Sequence, residues 1–253
     1  MKLIYDDRFL DSGYADDNAA MAGRMEAALS GLRGGPWSFM APVPASAEQL
    51  LLAHDPDYLR QVARDPARFA MASLAAGGAI LAARLAHGGE PAFACVRPPG
   101  HHAARADAWG HCTFSNVALA LLVLRAEHRI DSALVLDIDA HTGDGTRKVL
   151  AGWPGVEVFN PYAGDARDYL ELVEARLAAT AETGILAVSA GFDAYLHDVG
   201  HKLDTGDFER IGVLVRRTAQ RVCRGRRFAV LEGGYYLQDL GANVLAFCRG
   251  FAG

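Results

Sequence analysis

The feature that most constrains this chain is an apolar run that ends abruptly in acids, a histidine and glycines. It reads Val135-Leu136-Asp137-Ile138-Asp139-Ala140-His141-Thr142-Gly143-Asp144-Gly145. Residues 133–138 are a short apolar run with β-branched members, which is typical of a strand buried on both faces of a parallel sheet. Because side chains alternate along a strand, we expect Asp137, Asp139 and His141 to point the same way.

This cluster of ionisable residues predicts a metal or catalytic site. Two carboxylates and an imidazole at the carboxyl end of a buried strand lie where open α/β sheets bind ligands. Buried charges must be paired or must coordinate a metal. The alternative is that Asp137 and Asp139 only cap a helix that begins near Gly145. One cap does not need two acids and a histidine in register.

The rest of the chain alternates predicted strands with predicted helices. The strands cover residues 2–5, 92–97, 133–138, 156–160, 184–190 and 228–231. The helices cover residues 17–32, 46–54, 55–63, 71–87, 115–128, 165–183 and 204–224, with one more helix at the end, and a loop follows residue 32. This alternation predicts one α/β domain over residues 1–253, with a central, mostly parallel sheet and helices on both faces.

Charge and cysteine content indicate the class of protein. A net charge of −5 gives no sign of a nucleic-acid or acidic-membrane partner, and the arginines clustered within residues 216–227 are interpreted as the solvated face and end of a helix. The four cysteines form no C-x-x-C pair, which indicates reduced thiols and no thiolate zinc site. Acidic residues occur within the first seven positions, which is not typical of a signal peptide. The uncharged stretches are shorter than the ~20 residues that a helix needs to span a bilayer. We therefore expect a soluble, cytoplasmic protein.

Polar residues follow four of the predicted strands. The four endings are Arg97-Pro98-Pro99-Gly100-His101-His102, Asp137 to Asp144, Ser189-Ala190-Gly191-Phe192-Asp193 and Glu232-Gly233-Gly234-Tyr235. The carboxyl ends of parallel strands lie at one edge of a sheet, so these residues are expected to converge.

These motifs resemble those of the histone deacetylase and acetylpolyamine amidohydrolase family, which has the arginase–deacetylase fold. RPPGHHA at 97–103, DIDAHTGDGT at 137–146, SAGFDAY at 189–195 and LEGGY at 231–235 occur in the family's order. The segments His54–Tyr58 and Phe114–Ala118 are lesser matches.

The resemblance implies that Asp139, His141 and Asp193 bind one divalent metal per chain, normally zinc. Three nitrogen and oxygen ligands leave an open position, as a catalytic zinc site requires. These ligand types do not distinguish zinc from Fe²⁺ or Co²⁺. Family members also often bind K⁺ through the backbone between Asp137 and His141.

The resemblance also implies roles in catalysis for five residues. His101 and His102 match the tandem histidines that move protons during hydrolysis. Asp137 and Asp144 match the acids that orient those imidazoles. Tyr235 matches the tyrosine that stabilises the oxyanion together with the metal. The remaining histidines are interpreted as surface or packing residues, with His197 and His201 the first exceptions to test.

Two departures from the family pattern concern the substrate pocket, for which Pro99, Gly110 and His111 are the expected substrate contacts. His111 stands where the family usually has an aromatic residue, most often Phe. The Gly-rich segment that supplies the opposite ring is largely missing, because only 51 residues separate His141 from Asp193. We predict a shallower or wider pocket in which His111 offers a polar contact, or shares in metal binding or proton transfer. The shortened segment also leaves an edge strand that a second subunit would cover in a homodimer.

The sequence therefore predicts a zinc-dependent deacetylase. The expected substrate is a small acylated amine, an acetylpolyamine or an acetyl-lysine. A dimanganese ureohydrolase of the same fold is disfavoured, because that chemistry needs more metal-binding carboxylates. The alternative from another class is a non-catalytic, metal-containing protein that binds acyl ligands. Loss of His101, His102 or Tyr235 from the sequence would favour this alternative.

Overall fold

The strands and helices of the computed structural model, which describes residues 1–253, alternate along most of the chain. The strands are β1 (Lys2–Ile4), β2 (Ser38–Met40), β3 (Ala92–Ala94), β4 (Ala133–Asp137), β5 (Val156–Phe159), β6 (Ile185–Ala190) and β7 (Arg227–Leu231). The helices are α1 (Arg24–Ser30), α2 (Ala47–Ala53), α3 (Pro56–Val62), α4 (Pro66–His87), α5 (Asn116–Ala126), α6 (Asp144–Leu150), α7 (Ala166–Ala178), α8 (Thr205–Val222) and α9 (Leu237–Ala252).

All seven strands form one parallel sheet in the order β2-β1-β3-β7-β6-β4-β5. Helices α4 and α5 pack together as one group, and α1, α8 and α9 pack together as another. Strands β4, β6 and β7 are buried along their whole length, as their continuous apolar runs predict. The predicted α/β fold with a parallel sheet is confirmed.

The pairing of β4, β6 and β7 determines where the predicted site residues lie. Strand β6 pairs with β4 on one side and with β7 on the other, and the register sets Asp137 opposite Ser189 and Ala190 opposite Leu231. The chain segments that leave these three strands therefore start side by side at one edge of the sheet.

Three predictions of local structure need correction. Residues 38–40 were expected in a loop but form β2, a three-residue edge strand whose exposed side chains give no alternating pattern. The helix predicted over residues 17–32 is α1 alone, because the chain turns until Gly23, whose φ is 82°. Helix α4 begins before residue 71, since Asp65 caps it and Pro66 occupies its first position.

Helix α4 is a core helix. It has 22 residues and is long and apolar enough to cross a membrane, but 72% of its most apolar window is buried inside this protein. Gly77 and Gly78 have no Cβ atom and so allow close approach of the chain to α4: a Cβ atom at Gly77 would lie 1.8 Å from the carbonyl oxygen of Val43.

The arginine cluster near residue 220 has a structural role at helix ends. Arg221 donates to the carbonyl oxygens of Leu177 and Thr180 at the end of α7. Arg227 is buried and donates to the carbonyl of Phe251 at the end of α9. These contacts satisfy carbonyl groups that the helices leave unpaired. The interpretation as a solvated face was wrong for Arg227, which is buried, whereas Arg221 is exposed as that interpretation expects.

Candidate active site

Segments that follow four consecutive strands of the sheet carry the predicted site residues. The order of these strands is β3-β7-β6-β4. The residues they deliver are His101 and His102 after β3, Tyr235 after β7, Asp193 after β6, and Asp139 and His141 after β4. Strand β4 ends at Asp137, so Asp139 and His141 lie in the loop beyond it.

Asp139, His141 and Asp193 form a compact cluster of metal-ligand atoms, all within 4.8 Å of one another. His141 Nδ1 lies 3.0 Å from Asp139 Oδ1 and 3.0 Å from Asp193 Oδ2. One imidazole N–H donates to only one oxygen, and Asp193 Oδ2 is buried without a hydrogen bond of good geometry. A cation bound between the three side chains would satisfy that oxygen, so the donor set fits a divalent metal.

The charges of the cluster support the same assignment. Burial and the neighbouring carboxylate of Asp139 raise the pKa of Asp193 to about 7. The hydrogen bond to Asp139 and the close carboxylate of Asp193 raise the pKa of His141 to about 10. Two buried acids this close repel each other, and a bound cation would remove that cost.

Backbone N–H groups also donate hydrogen bonds to the carboxylates of Asp139 and Asp193. Ala140 donates to Asp193 Oδ1 at 2.9 Å, and His141 donates to Asp139 Oδ1 at 3.0 Å. Gly233 donates to Asp139 Oδ2 at 2.9 Å. The loops after β4 and β7 therefore supply the backbone donors that fix the orientation of these acids.

His101 is buried and paired with Asp137. Its Nδ1 lies 3.1 Å from Asp137 Oδ2, and its Nε2 lies 3.7 Å from Asp139 Oδ1. Burial lowers the pKa of His101, but the charges of Asp139 and Asp137 outweigh burial and raise the pKa well above its ordinary value. Asp137 is thus placed to orient His101, as the resemblance implies.

His102 is paired with Asp144 and differs from His101 in charge. Its Nδ1 lies 3.0 Å from Asp144 Oδ1, and its ring centroid lies 4.0 Å from that of His101. Burial and the charge of His101 lower the pKa of His102 to about 4. Asp144 stays ionised because hydrogen bonds from Lys148 and His102 outweigh burial and lower its pKa to about 2.

Tyr235 lies near the end of the short segment, residues 232–236, that leads from β7 into α9. Asp198 Oδ2 accepts the backbone N–H groups of Tyr235 and Tyr236, at 2.5 and 2.8 Å. The buried guanidinium of Arg24 donates to the carbonyl of Gly234 at 2.9 Å and lies 5.2 Å from the centroid of the Tyr235 ring. Burial raises the pKa of Tyr235, although Arg24 opposes this shift, so the phenol keeps its proton at neutral pH.

Five of these residues line one small cavity of about 190 Å³: His101, His102, Asp139, His141 and Tyr235. Pro99, Gly110 and His111, the predicted substrate contacts, all lie in its wall, together with Trp109 and Val199. His111 has φ 67°, its Nδ1 lies 3.8 Å from Asp17 Oδ2, and its ring lies 6.0 Å from that of Tyr235. It lies outside the cluster of metal-ligand atoms, which weighs against a role in metal binding.

Four residues around the site were missed by sequence reasoning: Arg24, Trp109, Asp198 and Glu232. Glu232 Oε2 accepts the N–H groups of Gly100 and His101 at 2.6 and 3.1 Å, and burial raises its pKa to about 7. Only Glu232, within the Leu-Glu-Gly-Gly-Tyr motif, and Trp109, beside His111, carried a signal in the sequence.

The other histidines lie away from the cavity. His54 is buried and places Nδ1 2.8 Å from the carbonyl of Ala104, while its Nε2 accepts the N–H of Ser115 at 3.0 Å. His197 packs beside the rings of Tyr195 and Tyr236, and His201 bonds the carbonyl of Leu196. None of these three lines the cavity.

The backbone expected to bind K⁺ already has hydrogen-bond partners. The carbonyl of Asp137 accepts from Asn160 Nδ2 at 3.2 Å, and the carbonyl of Ile138 accepts from the Tyr169 hydroxyl at 3.3 Å. Potassium binding stays a prediction.

Comparison with known proteins agrees with this arrangement. The family model of the histone deacetylase domain matches residues 19–169 and 161–251. The two matched parts overlap over residues 161–169, between His141 and Asp193. The HD domain of HDA15, a solved structure, covers 100% of this chain at 22% identity with a TM-score of 0.84, and the match covers 91% of that structure.

Several curated relatives are deacetylases by name. A protein from Methanothermobacter thermautotrophicus named "Probable deacetylase" is 30% identical over 92% of this chain and 85% of its own length. Histone deacetylase 10 of rice is 31% identical over 64% of this chain, which spans only 44% of the rice protein. Mouse polyamine deacetylase HDAC10 is 29% identical over 87% of this chain and 43% of its own length. With the family model matched over most of its length, this chain belongs to the histone deacetylase family.

Proposed function

We propose that this chain is a zinc-dependent amidohydrolase that removes an acyl group, with acetyl as the first choice, from an amine. The observation that carries this proposal is the convergence of three elements on one cavity: the Asp139–His141–Asp193 cluster, the histidine pair and Tyr235. Hydrolysis of an amide needs a polarised carbonyl, a proton acceptor and an oxyanion donor. Each has a candidate in this cavity.

The metal would be held by Asp139, His141 and Asp193. When bound there, a divalent cation supplies Lewis acidity, which polarises a carbonyl oxygen and lowers the pKa of water from about 15.7 to about 7.

The side chains of the protein supply the remaining chemistry. His102, with Asp144 holding its Nδ1, takes a proton at Nε2 from the attacking water and returns it to the nitrogen of the leaving amine. The water oxygen becomes bonded to the acyl carbon, and the carbon–nitrogen bond breaks. The Tyr235 hydroxyl donates to the carbonyl oxygen as negative charge develops there. The products are a carboxylate and a free amine.

The proposed substrates are acetylpolyamines, small N-acyl amines and acetyl-lysine. The small cavity favours a short acyl group. His111 supports a substrate other than the histone tail, because an imidazole replaces one apolar ring of the lysine tunnel. The polyamine deacetylase named among the relatives supports the amine class.

The test is amine release from a panel of acetyl-lysine peptides, acetylpolyamines and small N-acyl amines. Metal-stripped protein is assayed alone and after addition of Zn²⁺, Fe²⁺ or Co²⁺, with bound metal measured in parallel. We expect release only with metal, and the preferred compound identifies the substrate class.

Absence of release from every compound by protein that holds one metal per chain would contradict the proposal. It would favour the non-catalytic acyl-ligand binder, although His101, His102 and Tyr235 are all present. The cytoplasmic location, the lack of nucleic-acid and membrane partners and the homodimer stay predictions.

A further inference from the structure

Trp109 lies at the rim of the cavity in a turn that directs its side chain toward His102. The Cys112 N–H donates to the Trp109 carbonyl at 3.0 Å, and the two residues between them have positive φ, 58° for Gly110 and 67° for His111. Two consecutive positive φ values in a four-residue turn are the mark of type I′, a conformation that disfavours non-glycine residues. The segment Trp109–Cys112 is therefore a defined, hydrogen-bonded β-turn.

The indole of Trp109 contacts both members of the His102–Asp144 pair. Its ring stacks on the His102 ring with centroids 3.6 Å apart and planes at 30°. Its Nε1 donates to Asp144 Oδ1 at 3.1 Å, the oxygen that faces His102 Nδ1. The Trp109 side chain thus stacks on His102 and at the same time donates a hydrogen bond to the acid that pairs with His102.

The imidazole of His102 is enclosed on several sides by this arrangement. The indole covers one face, the His101 ring lies 4.0 Å away by centroid, and a Cβ atom on Gly110 would lie 2.5 Å from His102 Cδ2. Rotation of the imidazole away from Asp144 would break the stack. Half of the Trp109 surface remains exposed (53%), so burial of the indole alone does not account for its position.

We propose that Trp109 is a positioning residue for His102: its indole stack and its hydrogen bond to Asp144 hold the imidazole with the proton on Nδ1 and Nε2 toward the cavity. A base that moves a proton in two directions must keep one orientation throughout the reaction. Trp109 has this role in turnover only if the chain hydrolyses amides as proposed above.

Three variants of the zinc-loaded protein test the role. Trp109→Ala removes the ring and the donor, and Trp109→Phe keeps a ring without the donor. Trp153→Phe is the matched control, because Trp153 Nε1 also donates to an oxygen, the Asp131 carbonyl at 2.9 Å, away from the cavity. We measure kcat and KM on the best substrate of the panel. We also record the tautomer of His102 by ¹H–¹⁵N NMR, with the signal assigned from its loss in His102→Gln.

We expect kcat of Trp109→Ala to fall by about 10- to 100-fold, the usual effect of losing a partner that orients a catalytic group, with KM changed by less than about threefold. Trp109→Phe should regain most of kcat, and Trp153→Phe should match the wild type. His102 should keep the Nδ1–H tautomer in the wild type and in Trp109→Phe, and should average between tautomers in Trp109→Ala.

Wild-type kcat together with an unchanged His102 signal in Trp109→Ala would overturn the role. A loss confined to KM would also overturn it, because Trp109 would then be a substrate contact. If the wild type hydrolyses no compound, the proposed function fails on its own, and the NMR comparison still decides whether Trp109 orients His102.

Discussion

Asp139 Oδ2 accepts the backbone N–H of Gly233, which lies 94 positions later in the chain, at 2.9 Å. A loop after β4 and a loop after β7 therefore share one carboxylate. The same oxygen faces Gly191 in the loop after β6, where a Cβ atom would lie 2.3 Å away. Close packing of backbone around Asp139 leaves no space for even one added methyl group.

Gly191→Ala is therefore expected to weaken metal binding. The new Cβ atom would lie 2.4 Å from the Asp139 Cα as well, so the clash is with backbone and cannot be relieved by a side-chain rotation. We expect zinc affinity to fall by at least about 10-fold, as measured by competition with a chelating dye.

Gly152→Ala is the control for Gly191→Ala, because no atom lies within 4 Å of its added Cβ. Far-UV circular dichroism checks that both variants are folded. Wild-type zinc affinity in folded Gly191→Ala would contradict the tight packing around Asp139.

Tyr235→Phe should lower kcat and leave metal content unchanged. Loss of one oxyanion donor typically costs about 100- to 1000-fold in kcat, and the Tyr235 hydroxyl is not among the metal-ligand atoms. Turnover on the best acylated amine and zinc per chain are measured together. Tyr236→Phe is the control, since Tyr236 does not line the cavity. Turnover that survives in Tyr235→Phe would remove this hydroxyl from the mechanism.

His111→Phe tests the departure from the aromatic tunnel. A phenyl ring would restore one apolar wall beside Tyr235, and we expect kcat/KM for acetyl-lysine peptides to rise relative to small N-acyl amines by about 10-fold. Zinc content should not change, because His111 lies outside the cluster of ligand atoms. If activity on every acyl substrate stays the same, His111 has no role in selecting the substrate.

Stability should fall as pH is lowered because of His54. Burial lowers the pKa of His54 to about 4 in the folded protein, whereas the unfolded chain takes up a proton near the ordinary value of about 6.5. The unfolded state then binds more protons between these pKa values, so stability is full above pH ~6.5 and declines until pH ~4. The loss amounts to about 3 kcal/mol.

Urea unfolding at pH 7 and pH 4.5 measures this loss as a difference between variants. His54→Gln keeps a donor and an acceptor but does not titrate, so its stability should depend less on pH than that of the wild type. His197→Gln, at an exposed position, should follow the wild type. Equal pH dependence in all three proteins would exclude His54 as the cause.

The fold and most of the candidate site were predictable because both depend on local patterns. Continuous apolar runs predicted β4, β6 and β7, and the polar residues that follow them converge for the geometric reason that holds in every parallel sheet. Pairing of His101 with Asp137 and of His102 with Asp144 followed from the family resemblance, and the distances agree with it.

The features that were missed depend on contacts between distant segments. Arg24 donates to Gly234, 210 positions away, and nothing near Arg24 in the sequence indicates that contact. Strand β2 is short and exposed and exists through pairing with β1. The stacking of Trp109 on His102 depends on a turn whose second central residue, His111, is not one that turn preferences favour.

The position of β7 in the sheet has a consequence for synthesis of the chain. Strand β7 is the fourth of seven in space but the last in sequence, and it joins β2-β1-β3 to β6-β4-β5. The two halves of the sheet cannot unite on the ribosome until residues 227–231 have left the exit tunnel. The segment with Glu232 and Tyr235 follows β7 directly, so the nascent protein gains a complete sheet and a complete candidate site cavity within the same short interval of synthesis.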